Sequence, residues 1–128
     1  MKLAGLGIAL VLGVIMFANP IETVSDRRVL KSASGYQTVS MLDGGRTGLY
    51  YDAAEAIGIL RPNAKRVVLL GLGGGEMLRA ARRSLPHAEL IGVELSAFTA
   101  ALAKRVFRVE DFGVKVVVED AATYIDRE

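Results

Sequence analysis

The sequence predicts an α/β fold: an open parallel sheet, incomplete at about three parallel strands, preceded by a β-hairpin and an N-terminal hydrophobic helix. Three observations carry that reading. Short apolar runs at 67–70, 89–93 and 114–118 each end at glycine or a carboxylate, the intervals between them hold helix-like patterns, and residues 36–42 alternate with period two. At 128 residues there is room for one domain and not for two. We divide the chain into a hydrophobic anchor or signal segment (1–20), a hairpin region (21–62) and the first half of a ligand-binding α/β domain (63–128).

Residues 3–18 form an uninterrupted apolar run between Lys2 and Asn19-Pro20, and part of the excess in the 52% hydrophobic content sits there. As a helix the run would reach roughly 24 Å, short of the roughly 30 Å hydrocarbon core of a bilayer. A signal peptide, a short membrane anchor and a buried core helix compete. The signal reading meets a poor cleavage site, since Met16 would fill the position that wants a small residue. The core-helix reading lacks a polar face. Arg27, Arg28 and Lys31 follow the run closely and place the following domain on the cytoplasmic side. The expectation is a membrane anchor with a cytoplasmic α/β domain; the alternative is export by a signal peptide.

Residues 21–31 read as a linker or first strand with polar interruptions. Residues 36–42 alternate as a half-buried strand, Asp43-Gly44-Gly45-Arg46 signals a turn, and residues 47–51 are expected as the returning strand. Residues 52–60 suit a short helix stopped by Arg61-Pro62.

Val67-Val68-Leu69-Leu70 reads as a buried parallel strand that breaks at Gly71-Leu72-Gly73-Gly74-Gly75. A helix follows over 76–84, with Met77, Leu78 and Ala81 inward and Arg79, Arg82 and Arg83 largely outward. The second strand ends at Glu94, and Ser96 is placed to cap a helix to about Phe107, with Phe98, Leu102 and Val106 on its inner face. The third strand ends at Glu119-Asp120, and a helix begins at Ala121.

Glycine loop, Glu94 and Asp120 thus fall at the C-terminal ends of three successive parallel strands, where open α/β sheets bind ligands. The arrangement is Rossmann-like. Gly71, Gly73 and Gly75 would let the backbone approach a ligand and offer free N–H donors at the helix start. Glu94 would accept from ribose hydroxyls and Asp120 from an adenine amino group. Alone, each has an ordinary structural role: a tight turn, a surface pair, an N-cap. The dinucleotide fingerprint fails, because its last glycine falls at Glu76 or Leu78 in the two registers. A carboxylate at Glu76 also suits a cationic ligand better than a pyrophosphate. A sulfonium with an amine tail, S-adenosylmethionine or its decarboxylated form, matches better.

Composition narrows the classes further. There is no cysteine and one histidine, His87, in a turn sequence, so neither a thiolate nucleophile nor a histidine metal cluster is available and no metal is expected. A net charge of +2 without a basic stripe argues against nucleic acid.

At this point the sequence resembles the spermidine synthase family, within the class I S-adenosylmethionine-dependent methyltransferase fold, from about Ser34 onward. Ser34-Gly35-Tyr36-Gln37-Thr38-Val39 is similar to that family's opening strand, Leu42-Asp43-Gly44 to its hairpin, and residues 67–75 to its cofactor loop. Val93-Glu94-Leu95 and Glu119-Asp120-Ala121 resemble its ribose-binding and adenine-meeting segments. The resemblance implies that Gln37 reaches the nucleotide's tail and that Asp120 and Ala121 meet adenine. It implies aminopropyl transfer from decarboxylated S-adenosylmethionine to an amine such as putrescine. Two departures stand out. Gly74 replaces the aspartate that holds the aminopropyl amine, a role Glu76 is a candidate to take over, and Leu95-Ser96 replaces isoleucine-aspartate. The catalytic aspartate is expected beyond Glu128, so no catalytic residue is assigned. A small-molecule methyltransferase and a non-catalytic nucleotide-binding or assembly module are the alternatives, with a nicotinamide oxidoreductase behind them. An amine substrate, the membrane and a second copy of the chain are the expected partners.

Overall fold

The computed structural model describes residues 20–32 and 35–128. The apolar run 3–18 and Ser34 lie outside the described residues. No helix among those described is long and apolar enough to cross a membrane.

Two three-stranded sheets form the frame. Strands β1 (Ile21–Val24), β2 (Arg27–Ser32) and β3 (Gly35–Met41) make an antiparallel meander in the order β1-β2-β3. Strands β4 (Arg66–Leu70), β5 (Glu89–Glu94) and β6 (Val114–Val118) make a parallel sheet in the order β4-β5-β6. Parallel neighbours need crossovers, and the helices α2 (Glu76–Ser84) and α3 (Ala97–Arg105) provide them. A further helix, α4 (Ala121–Arg127), follows β6.

The hairpin region departs from expectation. Residues 47–51 do not return beside 36–42; β3 pairs with β2 instead, running Arg27 opposite Met41 through Ser32 opposite Gly35. The cause is local. The Asp52 carboxylate accepts from the Thr47 and Gly48 amides, at 3.2 and 2.7 Å, and so winds the segment into a turn. That turn enters a 3₁₀ stretch (Tyr50–Ala56) and a short helix, α1 (Ile57–Leu60), where a short helix was expected. Residues 21–31, read as a linker or single strand, hold β1, a turn and most of β2.

The parallel half follows its sequence closely. Helix α2 is built from good helix formers, places Arg82 and Arg83 in its last turn where they complement the dipole, and ends before Pro86. The Ser96 hydroxyl caps α3 by accepting from the Thr99 amide at 3.1 Å, and Asp120 caps α4 through the Thr123 amide at 3.1 Å. The main core joins Leu72, Leu78, Leu90, Phe107 and Val109 with Leu30 of the meander, so one apolar interior spans both sheets. Helix α4 closes the opposite face through Tyr124 on Ile91 and Val93.

Three inward–outward assignments change. Strand β4 lies at an edge of the sheet, and Val68 and Leu70 remain 36% and 44% exposed, because the helix after β6 sits over their neighbours Ile91 and Val93 and leaves the edge strand partly open. Phe98 is exposed; the buried side of α3 is formed by Ala100 and Ala103, small enough to bring the helix close. The arginines of α2 turn inward. Arg82 donates to the carbonyls of Leu85, Pro86, Ala88 and Phe112. Arg83 pairs with Asp52 and Glu55, joining α2 to the 3₁₀ stretch. Arg46 reaches the other side of Glu55, and the two guanidiniums hold that carboxyl down to about 2.

Arg82 ties the end of α2 to three carbonyls of the following loop and to the turn before β6. Lysine has the charge but not the planar fork. Arg82→Lys should lower unfolding stability by about 2 kcal/mol, measured by urea denaturation monitored by circular dichroism.

Candidate active site at the strand ends

The parallel register brings the ends of β4, β5 and β6 level: Leu70 pairs with Val93, and Glu94 with Val118. The glycine loop leaves β4 at this edge. Gly71 donates to the Val93 carbonyl at 2.8 Å, and a side chain at Gly71 would point into open space.

Glu94 is the centre of the site. The residue is 8% exposed, and its carboxylate accepts from the Gly73 amide at 3.1 Å through one oxygen and from the Ser96 amide at 3.0 Å through the other. A carboxylate has about four acceptor positions, so two remain for a ligand hydroxyl. Asp120 stands one strand over, exposed, with one oxygen engaged by the Thr123 amide. Ala121 opens α4 beside it. Gln37 comes from the meander: it is exposed, and its Cγ lies 3.8 Å from where a Cβ on Gly73 would be. Gln37, Gly71, Gly73, Glu94, Asp120 and Ala121 therefore gather at one end of the molecule.

Gly75 and Glu76 do not join them. The loop amides are not free donors either: Gly73 gives its N–H to Glu94, Gly74 to the Thr38 hydroxyl at 2.9 Å, and Gly75 to the Leu72 carbonyl at 2.9 Å. Gly75 is the left-handed entry to α2, with φ at +78°, and a Cβ there would meet Val109 at 2.5 Å. These glycines admit the protein's own side chains, whereas Gly71 borders open space.

Glu76 faces the meander. Its side chain is 1% exposed, with Arg79 Nε at 3.4 Å as its ion pair and neither oxygen holding a hydrogen bond. It therefore does not take over the aspartate's role at the loop. Nor could an acid at position 74 do so, because a Cβ on Gly74 would lie 2.6 Å from Thr38 and 3.0 Å from Phe107. Burial raises the Glu76 carboxyl above its ordinary value, against the lowering influence of the Ser40 hydroxyl and of Arg79.

Two residues escaped the sequence reading. Thr38 anchors the loop from the neighbouring sheet, a contact across 36 positions that no local pattern announces. Leu95 follows Glu94 and is 71% exposed, an apolar surface beside that carboxylate. Its signal was available, since an apolar residue directly after a strand-end carboxylate has no core to enter.

A strand-end carboxylate, a glycine loop and a second carboxylate on the next strand meet at the C-terminal edge of a Rossmann-like parallel sheet, the edge at which open α/β sheets bind ligands. No family model matches the chain. Over 89 residues it is 36% identical to the probable polyamine aminopropyl transferase of Bifidobacterium longum, covering 68% of this chain and 20% of that protein. The chain thus spans about a fifth of the length of the curated relative it matches. Among solved structures it is similar in fold to the spermidine synthase of Thermotoga maritima, with a TM-score of 0.53 and 18% identity, covering 84% of this chain and 42% of that one. A spermidine synthase in complex with the transition-state analogue AdoDATO gives a TM-score of 0.53 at 19% identity, over 84% of this chain and 42% of its own. These findings bear out the resemblance to the spermidine synthase-like family read from residues 34–121.

Two outcomes follow from this geometry. Gly74→Asp should destabilise the chain by about 2 kcal/mol through overpacking against Thr38 and Phe107, read from denaturant midpoints. Glu76 binds its proton more tightly folded than unfolded, so stability should be greatest at low pH on its account. That contribution is lost as pH rises above the ordinary carboxylate value of 4.5. Glu76→Gln should flatten this slope and be at least as stable as the parent at pH 7, measured by urea unfolding across pH 4 to 8.

Proposed function

We propose that the chain binds S-adenosylmethionine or its decarboxylated form at the ends of β4–β6 and serves spermidine synthase-like aminopropyl transfer to a polyamine acceptor such as putrescine. The single observation that carries the reading is Glu94, which fixes the glycine loop with two of its lone pairs and keeps two for a ribose. The relative named as a polyamine aminopropyl transferase supports the reaction class.

The residues fit an adenosine. Glu94 would take the ribose hydroxyls, exposed Leu95 would lie against the base, and Asp120 would accept from its amino group. Gly71 leaves room for the sulfur end of the ligand, and Gln37 stands at the edge of the loop to meet its tail. Bound there, the sulfonium supplies an electrophilic carbon: the acceptor nitrogen forms a bond to it, and the carbon–sulfur bond breaks to leave a thioether. This chain's residues contribute binding and orientation, which govern an in-line displacement between two held reactants.

A second reading rests on position 74. With no carboxylate able to reach the tail from that position, the site lacks the acceptor that would favour an aminopropyl ammonium. This favours S-adenosylmethionine itself and a small-molecule methyltransferase. The uncovered edge of β4 supports pairing with another copy or a partner module. The apolar run 3–18 supports a membrane tether with the α/β domain on the cytoplasmic side, a signal peptide being the alternative.

Calorimetry on the full chain separates these readings. Methylthioadenosine should bind saturably, and Glu94→Ala should weaken it by at least about tenfold, the loss expected for a hydrogen bond to a charged group. Stronger binding of the decarboxylated form than of intact S-adenosylmethionine supports aminopropyl transfer, and the reverse order supports methyl transfer. No heat with any of the ligands, from a folded sample, rejects both.

A further inference from the structure

A second crevice lies away from the strand ends, between the meander and the 3₁₀ turn Val109–Phe112 that precedes β6. Its volume is about 260 Å³. The charged groups lining it are Arg28 of β2, Arg79 of α2, and Arg108 and Asp111 of the turn. Arg108 and Asp111 neutralise each other at 2.6 Å. Arg28 is not neutralised in this way, and Arg79 shares its charge only with the buried carboxylate of Glu76.

Arg28 Nη1 donates to the Val106 carbonyl at 2.7 Å, and no carboxylate of the described residues pairs with it. Arg79 donates to the Phe107 carbonyl at 3.2 Å and lies over the Phe112 ring, 4.3 Å from its centre. Its Nε is buried without a hydrogen bond and is the atom that faces Glu76. Its one carboxylate neighbour is Glu76, at 3.4 Å and itself buried. A guanidinium has five N–H donors, and a neutral carbonyl satisfies one without cancelling the charge. Arg28 therefore brings an uncompensated, half-buried cation to a crevice that the guanidinium of Arg79 also lines. Packing holds them: Val106 and Phe107 end α3, and the Phe107 ring is wedged against the glycine loop.

We propose that this crevice is a binding site for a small oxyanion, a phosphate or carboxylate group carried by a small molecule, held between Arg28 and Arg79. The planar fork of arginine matches two oxygens of such a group. One anion in the crevice would give Arg28 the counter-charge it lacks and could accept from the terminal nitrogens of Arg79, whose Nε stays with Glu76. The apolar sides, Leu42 and Phe112 among them, accommodate the body of an organic anion.

The test uses the full chain titrated by calorimetry with inorganic phosphate and, separately, with acetate, against sodium chloride at matched ionic strength. Saturable binding of phosphate or acetate beyond the chloride control, weakened at least about tenfold in Arg28→Gln and unchanged in Arg105→Gln, supports the site; each lost charge-assisted contact is of that order. Whichever anion binds identifies the group recognised. Absence of saturable binding by both, or binding that Arg28→Gln leaves intact, overturns it. Should Arg28→Gln fail to fold by circular dichroism, Asp111→Asn decides. Removing the competing carboxylate should tighten anion binding several-fold, and an affinity that stays the same or weakens overturns the proposal.

Discussion

The carboxylate of Glu94 holds the amide of Gly73 on one side and the amide of Ser96 on the other, and the geometry of the strand-end site depends on that double contact. It joins the loop after β4 to the cap of α3 across the end of β5. A buried carboxylate needs such partners, because an uncompensated charge under cover costs several kcal/mol. The same contact shapes the loop for a ligand and limits what the loop can offer. Once Gly73 and Gly74 have given their amides to Glu94 and Thr38, recognition falls to side chains at the rim rather than to backbone donors.

The antiparallel meander completes the site from the other side. Thr38 reaches the loop from β3, Gln37 stands at its edge, and Leu30 enters the core shared with Leu72 and Leu90. Helix α2 lies between the two sheets, and its arginines act as cross-links. Arg82 gathers four carbonyls, Arg83 clasps the 3₁₀ stretch through Asp52 and Glu55, and Arg79 spans from Glu76 to the turn before β6. A guanidinium can do this because its donors radiate in a plane and its charge tolerates carbonyl company.

What was legible in the residues was what has a local cause. The parallel strands, both helix caps at Ser96 and Asp120, and the ordering of loop and carboxylates along the strand ends follow from period, capping chemistry and glycine placement. Errors arose where side-chain hydrogen bonds and packing, rather than hydrophobic period, decided. Residues 47–51 looked like a strand until Asp52 took their amides, and the α2 arginines looked solvated until carbonyls from the loop before β5 and the turn before β6 came within reach. Phe98 fitted a helical stripe, yet the buried face of α3 belongs to two alanines.

By itself the sequence determined the α/β class, the succession of elements after residue 63, and the placement of Glu94 and Asp120 at neighbouring strand ends, because hydrophobic period and capping act within a few residues. The tertiary structure alone decided the pairing of β3 with β2, the burial of Glu76 and the closure of Gly74 by Thr38 and Phe107. The last two outcomes depend on which surfaces meet across about thirty positions or more, where close packing leaves room for one arrangement of side chains and no local preference can indicate which.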